Sequence, residues 1–249
     1  MNTNIILSYL LVVAGVMIWS VGLWSRRQIK KGLLDSAITF GGAFLLAVCF
    51  VELVPEAFGG EVDVRIAAGC TLAGVVLQIL LEYLTNGVEH GHNHESCEDH
   101  DTHGGHSHGQ VSLAGLLIGL CIHSFLEGFP LADVVADGAM VNRGLLVGIM
   151  LHNIPISLIL ITLFMSKGLS KGSALSLMLL FAVSTPLGSA MRLTLLGGCG
   201  EEVGAYLVAF VVGILLHVSQ SLLFDHHEHR FSWSRMVIIL VAFTLAMFL

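Results

Sequence analysis

Charge is what this chain has least of. Only 12% of its 249 residues are Asp, Glu, Lys or Arg, about half the share of an ordinary soluble domain. So few charged side chains cannot clothe a water-facing surface of this size, which excludes a soluble globular fold. Basic residues are scarce too: 11 Lys and Arg face 18 Asp and Glu, and the formal charge of −7 is concentrated in one loop. No basic stripe is present for a polyanion, so no nucleic-acid partner is expected. Cysteine is sparse and odd in number, at Cys49, Cys70, Cys97, Cys121 and Cys199. Three of these fall within apolar runs, as small packing residues do, and a disulfide framework is not expected. The opening Met1-Asn2-Thr3-Asn4 lacks the basic stretch of a signal peptide, so the first apolar run is expected to be a retained span.

Hydrophobic length is what the chain has in quantity, with 55% of its residues apolar. A hydrocarbon core of about 30 Å needs roughly 20 apolar residues per helix. The apolar runs predict eight spans, at roughly residues 4–25, 35–57, 65–85, 111–135, 143–166, 172–196, 202–223 and 234–249. The last is short, with Trp233 and Arg235 placed to anchor it at an interface. The expected fold is therefore an all-α integral membrane protein, one transmembrane domain over residues 1–249, with nothing left for a soluble domain. Connections are brief except at residues 86–110, which are polar and rich in His and Gly.

Lys and Arg set the expected orientation. With the N-terminus outside, the inner loops take Arg26, Arg27, Lys30, Lys31, Lys167, Lys171, Arg230 and Arg235, against Arg65, Arg143 and Arg192 on the outer side. Both termini are then outside and the His-rich loop is cytoplasmic, in a cell (plasma or inner) membrane.

Two strings place ionisable groups at membrane depth: His123-Ser124-Phe125-Leu126-Glu127-Gly128 and Leu151-His152-Asn153-Ile154-Pro155. A charged residue at a helix centre costs about 2.5–3.5 kcal/mol on insertion scales, so its default explanation is a functional site with partners. His123 and Glu127 are four residues apart and share one helical face. A lone buried histidine is often only a hydrogen-bonded core residue. Glu127 changes that, because an apolar setting favours its neutral acid unless a cation or donor holds the charge. His, Glu and His are also ligands that zinc prefers. Pro130 and Pro155 each stand three residues beyond a candidate ligand, Glu127 and His152. Each removes a helical hydrogen bond and frees a carbonyl nearby.

Taken together these strings resemble the ZIP (ZRT/IRT-like) family of metal ion transporters. The second span adds Gly41-Gly42-Ala43-Phe44-Leu45 and Val54-Pro55-Glu56-Ala57, and the sixth adds Thr185-Pro186-Leu187-Gly188. The resemblance covers nearly the whole chain. It implies a 3+2+3 bundle in which spans 1–3 and 6–8 form inverted repeats around spans 4 and 5. It also implies that His123, Glu127 and His152 hold the transported ion, and that Ser124 and Asn153 occupy positions serving a second adjacent metal in some members. The family's fifth-span H-x-x-P-E has Ile156 in place of the Glu, and Thr185 stands where the sixth span can supply another acid. One principal site is therefore expected. Glu52 replaces a His often found three residues before the second-span Pro. It is a candidate pathway ligand, or else a carboxylate in the headgroup region.

Weaker candidates complete the set. His217 lies in the seventh span beside Ser219, Gln220 and Ser221, which could line a polar conduit or bond between helices. The loop carries His90, His92, His94, His100, His103, His106 and His108 among Glu89, Glu95, Cys97, Glu98, Asp99 and Asp101. Alternating H-x-H pairs chelate zinc-like ions without a fixed fold. Asp225-His226-His227-Glu228-His229 forms a second cluster, on the same side by the charge argument.

A carrier of divalent metal toward the cytosol is the expected function, with Zn²⁺, Fe²⁺, Mn²⁺ or Cd²⁺ as substrate and no cofactor. Its partners are the ion and the lipid bilayer, with a homodimer left open. The main rival is an intramembrane zinc-dependent hydrolase, since three ligands plus water also make a catalytic zinc. The sequence has no H-E-x-x-H and no obvious general base beside the histidines. A cation-efflux carrier usually brings six spans and a soluble C-terminal domain, whereas this sequence stops at the end of a span.

Overall fold

Helix is the only regular structure among the described residues of the computed structural model, which are 3–25, 31–59, 61–85, 113–136, 143–196, 200–224 and 232–248. In lipid each backbone N–H and C=O must be satisfied within its own segment, and a helix does this for every apolar run. The helices are α1 (Thr3–Ser25), α2 (Lys31–Val48), α3 (Val54–Phe58), α4 (Val64–Thr85), α5 (Leu113–Ala136), α6 (Arg143–Ser166), α7 (Lys171–Met191), α8 (Glu201–Phe224) and α9 (Trp233–Phe248). A π turn at Cys49–Leu53 joins α2 to α3, so the two form one rod, and another at Arg192–Leu196 extends α7. The first π turn has a local cause. A proline ring clashes with the carbonyl four residues back, and for Pro55 that carbonyl belongs to Val51, within the turn. The helix widens there, and the Val54 N–H bonds to Cys49 O, five residues back.

Six helices among the described residues are long and apolar enough to cross a membrane, and Ile6–Gly22 and Trp233–Phe248 are shorter apolar stretches. The second begins earlier than the sequence implied, at Gly32, and runs to Phe58. Residues 86–110 and 225–229, with their histidines, lie outside the described residues. Polar caps mark several ends. Asp63 Oδ1 accepts from the N–H groups of Arg65 and Ile66 at 2.8 and 3.3 Å at the start of α4. Between α6 and α7, Gly168 takes φ +75° and Ser170 caps α7 by accepting from Ser173 N.

Glycine decides which helices touch most closely. A methyl added at Gly74 of α4 would collide with the carbonyl of Phe210 on α8, and one at Gly213 of α8 would collide with that of Thr71 on α4. The same reciprocity joins α5 to α7, where Gly128 meets the Thr185 carbonyl and Gly188 meets that of Phe125. Lipid supplies little hydrophobic drive between helices, so close backbone approach at small residues is what binds them. α6 is the most enclosed, with 78% of its span window buried, whereas α4 has 22% and turns Leu72, Val76, Leu80 and Tyr83 outward.

Two large apolar clusters fill most of the interior, with a small third at Ile38, Val218 and Leu222. One gathers Phe44, Leu45 and Val48 of α2 with Leu145 and Ile149 of α6 and Val211, Val212 and Leu215 of α8. The other joins Leu116 and Leu120 of α5 to Ile156 and Leu160 of α6 and Met178 and Phe181 of α7. Along α6 the order is Ile149, His152, Ile156, so the polar centre lies between the two.

Candidate metal centre

His123 and Glu127 project from one face of α5, as their spacing predicts, and His152 meets them from α6. All three side chains are fully buried. His123 Nε2 stands 3.0 Å from Glu127 Oε1. His152 Nε2 stands 3.4 Å from the same oxygen and 3.4 Å from His123 Nε2. In a tetrahedral zinc site with bonds of about 2.0–2.1 Å, neighbouring ligand atoms are about 3.3–3.4 Å apart. The three atoms therefore form the face of a tetrahedron that an ion of zinc's size can cap. This is the group of His, Cys, Asp and Glu side chains among the described residues that could hold a metal ion.

The electrostatics point the same way. Gln78 of α4, fully buried, has Oε1 3.0 Å from His123 Nδ1. The amide oxygen accepts, so Nδ1 carries the proton and Nε2 turns its lone pair toward Glu127. A metal-bound histidine is normally held in this way by an acceptor on its second nitrogen. Two imidazole nitrogens and a carboxylate oxygen at these distances repel one another unless a proton or a cation lies among them. Glu127 Oε2, Ser124 Oγ and Asn153 Oδ1 are also buried, without a hydrogen-bond partner among the described residues.

Proline and glycine shape the surroundings. Pro155 deprives the Leu151 carbonyl of its helical donor. Gly41 of α2 lets the chain pass beside it, since a methyl there would sit 3.2 Å from that oxygen. The carbonyl that Pro155 frees thus lies one residue before His152, while α6 continues as helix through this turn. Ile156 is buried in the second apolar cluster, and Thr185 is buried where α7 crosses Gly128. Neither position supplies a carboxylate.

The remaining candidates lie apart from this group. Glu52 sits in the π turn with its carboxylate against Gly144, at the opposite end of α6 from the α7 connection. Cys49 is a buried free thiol of the same turn. His217 of α8 pairs with Glu82 of α4, Nε2 to Oε2, at 2.8 Å, each side chain 25% exposed. Sequence reasoning passed over Gln78 and Glu82. The available signal was two polar residues four apart in an otherwise apolar run.

Comparison with known proteins identifies the family. The family model described as ZIP Zinc transporter matches residues 78–248, from the Gln78 that supports His123 to the end of α9. None of the curated proteins compared with the sequence matches it. Over two thirds of its length, in its buried His/Glu centre and in its apolar multi-pass helices, the chain belongs to the ZIP zinc transporter family, whose members carry divalent metal ions through membranes.

Proposed function

We propose that this chain moves a divalent transition-metal ion, zinc foremost, across the membrane toward the cytosol, with His123, Glu127 and His152 as its ligands. The supporting observation is the fully buried triangle of 3.0, 3.4 and 3.4 Å, sized for one tetrahedral ion. The ion replaces the attraction that three converging electron-rich atoms lack on their own. Ser124 and Asn153 offer neutral oxygens beside it, and the apolar Ile156 leaves one principal ion. Six long apolar helices and two shorter ones are consistent with eight spans. The charge bias puts both termini outside and residues 86–110 in the cytosol as a metal-collecting loop.

Helix pairing supports the inverted repeat. α4 packs on α8 and the α2 rod on α9; α5 packs on α7 and α1 on α6. Exchanging spans 1 with 6, 2 with 7, 3 with 8 and 4 with 5 turns the first pair into the second and the third into the fourth. In this orientation Glu52 lies on the outer side of the centre, where it draws cations inward past Cys49. The lipid bilayer covers the outward apolar faces of α4 and α9.

Purified protein in liposomes tests the proposal with Zn²⁺, Fe²⁺, Mn²⁺ and Cd²⁺ in turn. Wild type is expected to take up zinc, and Glu127→Gln, which keeps the shape but not the charge, is expected to lose uptake while remaining folded. Normal flux in both Glu127→Gln and His123→Ala would remove the site. Metal-dependent turnover of a peptide or lipid without flux would replace carriage with hydrolysis.

A further inference from the structure

The two π turns share a feature that ion binding does not explain. Each sets an ionisable side chain against a glycine in the first turn of a neighbouring helix. Glu52, in the turn Cys49–Leu53, has its carboxylate where a methyl on Gly144 of α6 would stand. Arg192, in the turn Arg192–Leu196, has its guanidinium where a methyl on Gly204 of α8 would stand. Only residues 167–170 join α6 to α7, so the start of α6 and the end of α7 lie at one face of the bundle. The proposed orientation makes that face the outer one.

Both contacts join parts of the bundle that can separate. Glycine interlocks bind α4 to α8 and α5 to α7, backbone against backbone. Arg192 reaches from the extension of α7 to α8, hence from one interlocked pair to the other. Glu52 reaches from the α2 rod, which packs on α8 and α9, to α6, which packs on α1. At this end of the α2–α6 joint, Gly144 and Gly148 meet the side chains of Glu52, Phe44 and Leu45 and no backbone. It can part without driving one chain through another. The docked groups are dry: Glu52 Oε2 is buried and Arg192 is only 6% exposed.

Each charge suits its dock. A carboxylate is favoured by the N–H groups and dipole at the start of α6, and Arg192 docks beside a first turn that carries Glu201 and Glu202. For an ionised group the attraction gained on docking is offset by the hydration given up. An apolar side chain would rivet the joint, whereas a charged one docks and leaves at little net cost. We propose that Glu52 and Arg192 are charged latches that hold the outer side of the His123/Glu127/His152 centre closed in this conformation, and that both undock when that side opens. The proposal rests on the transport reading for which side is outer, though not for the contacts themselves. Cys49 reports the latch: it is fully buried in one cluster with Leu145 and Ile149 of α6, so water reaches it when α2 and α6 part.

Reaction of Cys49 with a water-soluble maleimide, read peptide by peptide by mass spectrometry on the full chain in lipid nanodiscs, tests this directly. Cys121 of α5, a half-buried free thiol, is the internal reference. Wild type is expected to react slowly at Cys49. Glu52→Ala and Arg192→Ala, which empty the docks, are expected to raise that rate severalfold while Cys121 keeps its own. Gly144→Ala and Gly204→Ala expel the charged group without removing it and are expected to act alike; they serve should alanine at a latch prevent insertion. Cys49 reactivity equal to wild type in these variants overturns the proposal, as does a rise matched at Cys121, which marks general loosening. Labelling does not depend on flux, so the response is expected to persist in a Glu127→Gln background, and the two proposals fail separately.

Discussion

Replacing Gln78 with leucine removes the amide oxygen that accepts from His123, together with the amide donor, at little change of volume. In the structure Gln78 Oε1 accepts the Nδ1 proton at 3.0 Å inside a fully buried site. Without it, Nδ1–H is left unsatisfied at a cost of about 1–3 kcal/mol. The ring escapes that cost by carrying its proton on Nε2, the nitrogen that faces Glu127 and His152. A proton there occupies the position of the ion. Loss of such outer partners lowers metal affinity about 10–100-fold, equivalent to about 1.4–2.8 kcal/mol. The expected result is a rise of that size in the zinc concentration for half-maximal uptake, with folding judged normal by size exclusion and thermal unfolding. Gln78→Glu restores an acceptor in the same place and is expected to recover most of the loss. Wild-type half-saturation in Gln78→Leu would refute the argument, as would equal impairment of the leucine and glutamate variants.

Further expectations concern pH, packing and the loop. Zinc uptake is expected to weaken as pH falls from about 7.5 to 5.5, because both imidazoles must be neutral at Nε2 to bind and protons compete for them; half-saturation that does not change with pH in liposomes would contradict this. Gly128→Ala and Gly188→Ala place a methyl on a neighbouring backbone carbonyl and should each destabilise the protein by about 1–3 kcal/mol or more. Gly69→Ala and Gly172→Ala, which face open space, should leave the unfolding temperature unchanged. Deleting residues 89–108 should preserve flux while altering its dependence on zinc concentration, and a correctly inserted deletion with no flux would show that the loop is essential to passage.

The centre was legible because its parts are local. His123 and Glu127 declare themselves by helical spacing within one apolar run, and His152 by its place in the next. Pro155 announced the freed carbonyl beside His152. Gln78 and the Glu82–His217 pair were not legible in the same way. Gln78 meets His123 across 45 residues and Glu82 meets His217 across 135, and no periodicity along one helix encodes which faces two helices will share. For the Glu82–His217 pair that choice is made by Gly74 and Gly213, whose missing side chains let α4 and α8 close on each other. The π turns divide likewise: Pro55 gives a reason for the one at Cys49–Leu53, whereas nothing comparable follows the one at Arg192–Leu196.

The glycine contacts have a mechanical side. They lock α4 to α8 and α5 to α7 at backbone distance, where sliding by a residue would drive a neighbouring side chain into the carbonyl that each glycine now faces. Each pair therefore moves as a stiff plank. α5 and α6, by contrast, touch only sparsely, and the edge between His123 and His152 spans that loose joint. On the proposed function, an ion seated there ties the α5–α7 plank to α6, so the cargo is itself part of the framework that confines it. Leaving the site means unbolting the joint. On the same proposal, the protein without its ion is the more supple of the two forms, free to reset while it travels empty.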